Sequence, residues 1–193
     1  MAILAIELPP ATARLFSEVD VPGTPSAPGS MHITLLYLGD DVPIDALAEA
    51  VKATYEVTSK TRPFTVRASR VVSFPVNSDQ DEEHPVVARI ESDELHDLWK
   101  RLGKALDGAG VDFSKKFPVY KPHVTLSYAP EAVEEFTIPT IEWGAHEVVL
   151  WGGDEADERL SVTFPFSLRP SSKAAVAHRV AARFMSAAAV RGL

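Results

Sequence analysis

Two histidine–threonine pairs are the residues of this chain best suited to chemistry. The hexapeptide His-x-Thr-Leu-x-Tyr occurs at residues 32–37 and again at residues 123–128. Residues two apart in an extended strand point to the same face, so each copy presents an imidazole beside a hydroxyl. Two imidazoles can act as acid and base on a phosphodiester, while two hydroxyls hold its oxygens. The pattern predicts one catalytic site formed by His32, Thr34, His123 and Thr125.

The repeat is too specific to be a coincidence. With 6 His, 11 Thr and 16 Leu among 193 residues, random placement would give about 0.03 copies of His-x-Thr-Leu. Core packing explains the opposite face of each strand, which carries Ile33, Leu35 and Tyr37 in the first copy and Val124, Leu126 and Tyr128 in the second. Packing does not explain the polar face, which we interpret as functional.

The motifs do not assign the acid and base roles to individual histidines, and they argue against a metal site. Their near-symmetry does not say which histidine is the acid and which is the base. Each motif supplies one histidine and no carboxylate at ligand spacing, so we expect neither a metal nor another cofactor.

The composition limits the classes of protein to which the chain can belong. A hydrophobic content of 46% in 193 residues supports one good core, and no apolar run reaches the ~20 residues of a membrane span. The absence of cysteine excludes disulfides and a cysteine nucleophile, and it fits a reducing, cytoplasmic location. A net charge of −8 argues against broad electrostatic capture of nucleic acid.

Hydrophobic periodicity predicts the elements that carry the motifs. Each motif strand follows a strand and a helix, which indicates two similar α+β halves that share one cleft. The predicted strands are Ala2–Leu8, Met31–Leu38, Phe64–Ser73, Val86–Ile90, Tyr120–Tyr128, Glu147–Leu150 and Leu160–Phe166, and the predicted helices are Pro10–Glu18, Ile44–Thr58 and Ser92–Leu106.

Four segments together resemble the 2H phosphoesterase superfamily, in particular its 2′-5′ RNA ligase and RNA 2′,3′-cyclic phosphodiesterase branch. They are AILAIELPP, MHITLLYLGD, ELHDLWKRLGKAL and FPVYKPHVTLSY. The resemblance implies an α+β, bilobal 2H phosphoesterase fold, in which two pseudo-symmetric antiparallel-sheet lobes with outer helices surround a central cleft. It covers residues 1–168 and departs from the family pattern in a longer, more acidic loop at Pro75–Pro85.

The C-terminal segment lies outside this resemblance. We expect residues 1–168 to form the two-lobed domain and residues 169–193 to form a helical tail. Val176, Val180 and Phe184 would make an apolar stripe on that helix. The stripe fits packing on the domain itself or contact with an oligomer or another protein.

The resemblance implies a metal-independent cyclic phosphodiesterase. Its substrate would be the 2′,3′-cyclic phosphate end of RNA or of a nucleotide, opened to a 2′-phosphate. One alternative is a phosphodiesterase that degrades 3′,5′-linked cyclic oligonucleotide signals, as phage anti-defence members do. The others are a 2′-5′ RNA ligase and a nucleotide-binding module without catalysis. No membrane partner is expected.

Further residues are candidates for substrate binding. The lysines before the second motif could hold a phosphate: Lys115, Lys116 and Lys121. Several aromatic rings could stack on a base: Tyr120, Trp143, Trp151 and Phe74. The other four histidines lack a matching threonine and are interpreted as structural or surface residues: His84, His96, His146 and His178.

Overall fold

The computed structural model describes residues 1–76, 82–152 and 160–167. The strands in this part of the chain are β1 (Ala2–Glu7), β2 (Thr24–Pro25), β3 (His32–Gly39), β4 (Phe64–Ser73), β5 (His84–Glu91), β6 (His123–Ala129), β7 (Phe136–Ala145), β8 (Glu147–Gly152) and β9 (Leu160–Pro165). The α-helices are α1 (Pro10–Ser17), α2 (Ile44–Thr58) and α3 (Asp93–Gly108), and a short 3₁₀ helix spans Pro28–Ser30. The predicted tail lies outside the described residues.

Two antiparallel sheets form the two lobes. The first sheet has the strand order β3-β1-β8-β9, and the second has the order β2-β6-β5-β4-β7. One face of each sheet and the apolar faces of the helices share a continuous hydrophobic core. The motif strands β3 and β6 contact each other across the lobes. The predicted bilobal α+β fold is confirmed, and we call the space between the motif-bearing faces the cleft.

Local sequence signals account for the helix that packs beneath the second motif. Helix α3 begins after Ser92, whose hydroxyl accepts a hydrogen bond of 3.2 Å from the Leu95 backbone N–H. Its leucines recur every three or four residues, so all four fall on one face and are fully buried: Leu95, Leu98, Leu102 and Leu106. The prediction of this helix from sequence is therefore confirmed.

A β-bulge interrupts both motif strands at the same position of the repeat. In β3 the pairing with β1 jumps from Thr34 to Leu36, and in β6 the pairing with β5 jumps from Thr125 to Ser127. The extra residue, Leu35 or Leu126, shifts the alternation of every later side chain.

The two bulges overturn the predicted positions of the motif tyrosines. Tyr37 packs with the smaller apolar cluster on the cleft face, and Tyr128 is 45% exposed. Their places toward the core are taken by buried Leu36 and Ser127. The prediction that both tyrosines face the core was wrong because it assumed unbroken alternation.

Strand β7 contains Pro139 and is absent from the strands predicted from sequence. Proline cannot donate a ladder hydrogen bond and is tolerated at the edge of a sheet. Strand β7 is such an edge, and its pairing with β4 lapses between Thr137 and Ile141. Pro139 therefore sits in the unpaired stretch, where its missing N–H costs nothing.

Candidate active site

Both motif histidines are held by the same backbone contact. The Nδ1 atom of His32 lies 2.7 Å from the carbonyl oxygen of Ser30, and the Nδ1 atom of His123 lies 2.7 Å from that of Lys121. A carbonyl can only accept, so Nδ1 carries the proton in each ring. The Nε2 atom of each imidazole is therefore an acceptor when the ring is neutral and a donor when it is charged.

An aromatic ring meets each histidine edge-on. His32 and Trp151 have ring centroids 4.9 Å apart at an interplanar angle of 75°. His123 and Phe74 have centroids 4.8 Å apart at 69°. The predicted stacking residues Trp151 and Phe74 therefore stand beside the two catalytic candidates, where they restrict the orientation of the imidazoles.

Cross-strand register places the first motif among specific neighbours. The cleft face of the first sheet carries a small apolar cluster separate from the main core. Its side chains fall into three rows, which pair His32 with Glu7, Thr34 with Ala5 and Val149, and Tyr37 with Ile3 and Trp151. The ring of Trp151 leans along this face toward His32, and its Nε1–H donates to the Glu7 carboxylate at 3.0 Å.

The second sheet repeats this arrangement with different side chains. Its rows pair His123 with Arg89 and Arg70, Thr125 with Val87 and Val72, and Tyr128 with Pro85 and Phe74. The two cleft faces thus agree in their histidines, threonines, tyrosines and aromatic neighbours. They differ in charge beside the histidine, where the first lobe has Glu7 and the second has Arg89.

His123 has a perturbed pKa that bears on its role. Partial burial of the ring lowers its pKa below the ordinary value of 6.5. The hydrogen bond to the Lys121 carbonyl acts in the opposite direction, and the positive charge of His32 lowers the pKa further. The two imidazoles therefore lie within electrostatic reach of each other.

The motif threonines keep their hydroxyls available. Thr34 and Thr125 are half-buried on the cleft faces. Among the residues that the structure describes, neither Oγ1 atom has a hydrogen-bond partner. Each hydroxyl can therefore donate to a phosphate oxygen placed between the histidines.

Tyr120 connects the two lobes. Its hydroxyl donates to the Thr34 carbonyl at 3.0 Å, and its ring stacks on Trp99 with centroids 5.1 Å apart. Burial raises the pKa of this phenol far above its ordinary value, so the hydroxyl stays protonated and remains a donor. A second link joins the Ser114 N–H to the Tyr37 carbonyl at 2.8 Å. These contacts suit Tyr120 to positioning the lobes, and its stacking on a base stays a prediction.

The predicted lysines differ in their position. Lys121 lies 5.9 Å above the Phe74 ring, next to His123, and so borders the cleft. Lys115 forms an ion pair with Asp107 at 2.9 Å. Lys116 lies over the exposed ring of Phe117. Of the three, Lys121 is the one that these contacts connect directly to the site.

Trp143 does not belong to the site. Its side chain is 7% exposed and meets Phe16 edge-on in the main core, so the suggestion that it stacks on a base was wrong. His84 and His96 hydrogen-bond backbone carbonyls, and His146 is exposed. His178 lies outside the described residues.

Sequence analysis missed the charged neighbours Glu7 and Arg89. Each lies on the strand beside a motif strand and on the cleft face. The signal was a polar residue that interrupts an apolar strand, in AILAIEL for Glu7 and VVARI for Arg89. The pairing register of the strands places these two charged residues next to the histidines.

Other surface features lie away from the motifs. A groove of about 760 Å³ is lined by Lys60, Arg62, Asp97 and Arg101 among others and contains neither histidine. In the described ranges, no three His, Cys, Asp or Glu side chains gather as they would around a metal ion. The helices described there are also too short or too polar to cross a membrane.

Comparisons with known proteins agree on the fold. The sequence model of the 2′-5′ RNA ligase superfamily matches residues 12–157. No curated protein matches the chain. The crystal structure of TT0787 of Thermus thermophilus superposes with a TM-score of 0.68 at 20% identity, covering 89% of this chain and 99% of the other. For apo LigT of E. coli the TM-score is 0.56 at 19% identity, with coverage of 86% and 94%.

Proposed function

The chain belongs to the 2′-5′ RNA ligase superfamily of 2H phosphoesterases, and we propose that it is a metal-independent cyclic phosphodiesterase. In this proposal it opens the 2′,3′-cyclic phosphate of a nucleotide or RNA end to a 2′-phosphate. The observation that carries the proposal is the pair of motif imidazoles that are held in the same way, each with Nδ1 bound to the backbone carbonyl two residues earlier. Crystals of the structurally similar LigT with 3′-AMP and with phosphate are compatible with a nucleotide phosphate in such a cleft.

His123 is suited to act as the general base. Burial and the charge of His32 lower its pKa, so its ring is neutral near pH 7 and Nε2 has a free lone pair. In the proposed step, Nε2 takes a proton from water while the water oxygen forms a bond to phosphorus.

His32 is suited to act as the general acid. It is the other motif histidine, and Glu7 lies opposite it on the adjacent strand. As the bond between phosphorus and O3′ breaks, the Nε2–H of His32 gives its proton to O3′. Water thereby supplies the hydroxyl on phosphorus and one proton, and His32 supplies the proton that completes the ribose hydroxyl.

The threonines stabilise the charge that develops between the histidines. Their hydroxyls are placed on opposite cleft faces, so Thr34 and Thr125 can donate to different non-bridging oxygens. Hydrogen bonds aimed at the transition state are worth most where water is excluded. The aromatic rings of Trp151 and Phe74 reduce the access of water to both imidazoles.

The test is hydrolysis of a nucleoside 2′,3′-cyclic phosphate, with the product isomer identified by NMR. We expect His32→Ala and His123→Ala each to lower kcat by at least about a hundredfold, since general acid–base groups contribute about 10²–10⁴-fold. His146→Ala is the matched control because that imidazole is exposed and has no threonine beside it. Thermal unfolding of each variant reports on folding, and EDTA should leave the rate unchanged.

The same experiment separates the alternative substrates. Cyclic di- and trinucleotides with 3′,5′ linkages are compared with the 2′,3′-cyclic mononucleotide under identical conditions. Faster turnover of the 3′,5′-linked compounds, or near-full activity of either histidine variant, would refute the proposed reaction.

A further inference from the structure

A cationic row leads away from the catalytic histidine of the second lobe. The β6, β5 and β4 strands place His123, Arg89 and Arg70 side by side on the cleft face. Directly opposite residues in antiparallel strands have Cβ atoms about 5 Å apart. Arg89 is therefore the residue directly opposite His123 on the neighbouring strand.

None of the described residues around Arg89 neutralises its guanidinium. Arg70 is held by Glu91 at 3.8 Å and by Glu135 at 3.3 Å. Arg67 is likewise held by Glu91 at 3.1 Å. Arg89 is exposed and has no ion pair or hydrogen bond of its side chain with any residue that the structure describes. Its charge is thus available to an anion from solution.

Arg89 lies outward from the position of the scissile phosphate. Strands β3 and β6 meet across the lobes, so a phosphate between His32 and His123 sits at that junction. Strand β5 is one strand further out in the second sheet. The scissile phosphate already faces two imidazoles and two hydroxyls, whereas Arg89 faces the next position along a bound chain.

Among the described residues, the first lobe places no cation beside its histidine. The residue opposite the histidine is Glu7, which would repel a phosphate. Further along that face lie the apolar cluster and the uncharged side chains of Ser161 and Thr163 on β9. The two cleft faces otherwise match, so this difference in charge would orient a bound polynucleotide. Its additional phosphate would lie against the second lobe.

We propose that Arg89 binds a second phosphate, the one that joins the last two nucleotides of an RNA ending in a cyclic phosphate. This inference rests on the proposed function and narrows its substrate class from any cyclic nucleotide to an RNA 3′ end of at least two nucleotides. Arginine suits this task because its planar fork matches the oxygens of a phosphate.

Three substrates test the subsite. They are a nucleoside 2′,3′-cyclic phosphate, a dinucleotide that ends in this group, and the same dinucleotide with an uncharged methylphosphonate linkage. The wild-type protein should favour the charged dinucleotide over the uncharged one by about tenfold in kcat/KM, the size expected for one charge-assisted contact. Arg89→Gln should abolish that ratio, and Arg14→Gln, an exposed arginine on α1, should retain it.

Two results would overturn the inference. One is an Arg89→Gln variant that keeps the wild-type preference for the charged linkage. The other is an equal loss on all three substrates, which would assign Arg89 to the scissile phosphate instead. Thermal unfolding of the variant establishes that it is folded.

Failure of the proposed function would be seen separately, as no turnover of any of the three substrates by the wild type. The subsite is then decided by calorimetric binding of a dinucleotide 2′-phosphate with a charged or a methylphosphonate linkage. Weaker binding of the charged compound by Arg89→Gln than by the wild type, with the uncharged compound unaffected by the change, supports the subsite. Equal affinities of the two proteins for the charged compound refute it.

Discussion

The protonation of His123 is set by opposing effects of its immediate surroundings. Removing the ring from water penalises the charged form, while the Lys121 carbonyl stabilises it. Burial is the larger effect, and the edge of Phe74 supplies part of it. A base must be neutral to accept a proton, so the lowered pKa widens the pH range in which His123 can work.

Phe74→Ala should move the acid limb of the pH–rate profile to higher pH. Loss of the ring lets water reach His123, which raises its pKa toward the ordinary 6.5. Activity that depends on neutral His123 appears only above that pKa, so its midpoint rises with it. The measurement is kcat/KM against pH together with an NMR titration of the His123 ring. Phe117→Ala removes an exposed phenylalanine and serves as the control; an unmoved or lowered midpoint contradicts the assignment of His123 as base.

At the scale of elements, alternation in sequence predicted the strands and the polar face of each motif. Helix α2 and strand β4 have the predicted bounds. Alternation could not predict the bulges, because one inserted residue in a ladder leaves no mark in the chain itself. Alternation also could not predict that Glu7 and Arg89 lie beside the histidines, because the pairing register depends on two strands at once.

The lobes are joined by Tyr120, a residue that the sequence suggested as a stacking partner for a base. Tyr120 precedes β6, yet its hydroxyl bonds to β3 of the other sheet. The spacing of the two histidines thus depends on a contact between motif segments as well as on the core. A small shift of one lobe would misplace the acid relative to the base.

Tyr120→Phe should lower the free energy of unfolding by about 1 kcal/mol, the typical net value of one hydrogen bond. The ring and its stacking on Trp99 are kept, so the change isolates the bond to the Thr34 carbonyl. We also expect kcat to fall, because the lobes are less firmly held. Urea unfolding and steady-state kinetics measure both effects. Tyr128→Phe is the control, as that tyrosine is 45% exposed; equal stability of the two variants would exclude the lobe-bridging role.

On the scale of the whole molecule, the charge distribution limits how a polyanion can bind. The chain carries a net charge of −8, and Lys121 and Arg89 are the described cations that adjoin His123. Long-range repulsion therefore opposes any extended nucleic-acid footprint, while local attraction acts within the cleft. A substrate gains from phosphates that reach the cleft and gains nothing from those beyond it.

This balance of long-range repulsion and local attraction predicts how kcat/KM depends on substrate length. The value should rise from a mononucleotide to a dinucleotide substrate and then stay within about twofold for longer RNAs. With two phosphates engaged, the slope of log kcat/KM against log salt should be about −1.4, since a single strand contributes about −0.7 for each phosphate. Oligonucleotides of graded length with a 2′,3′-cyclic phosphate end, assayed at several salt concentrations, measure both quantities. A continued rise with length accompanied by a steeper salt slope would reveal an extended RNA-binding surface, which would favour the ligase alternative over hydrolysis of short ends.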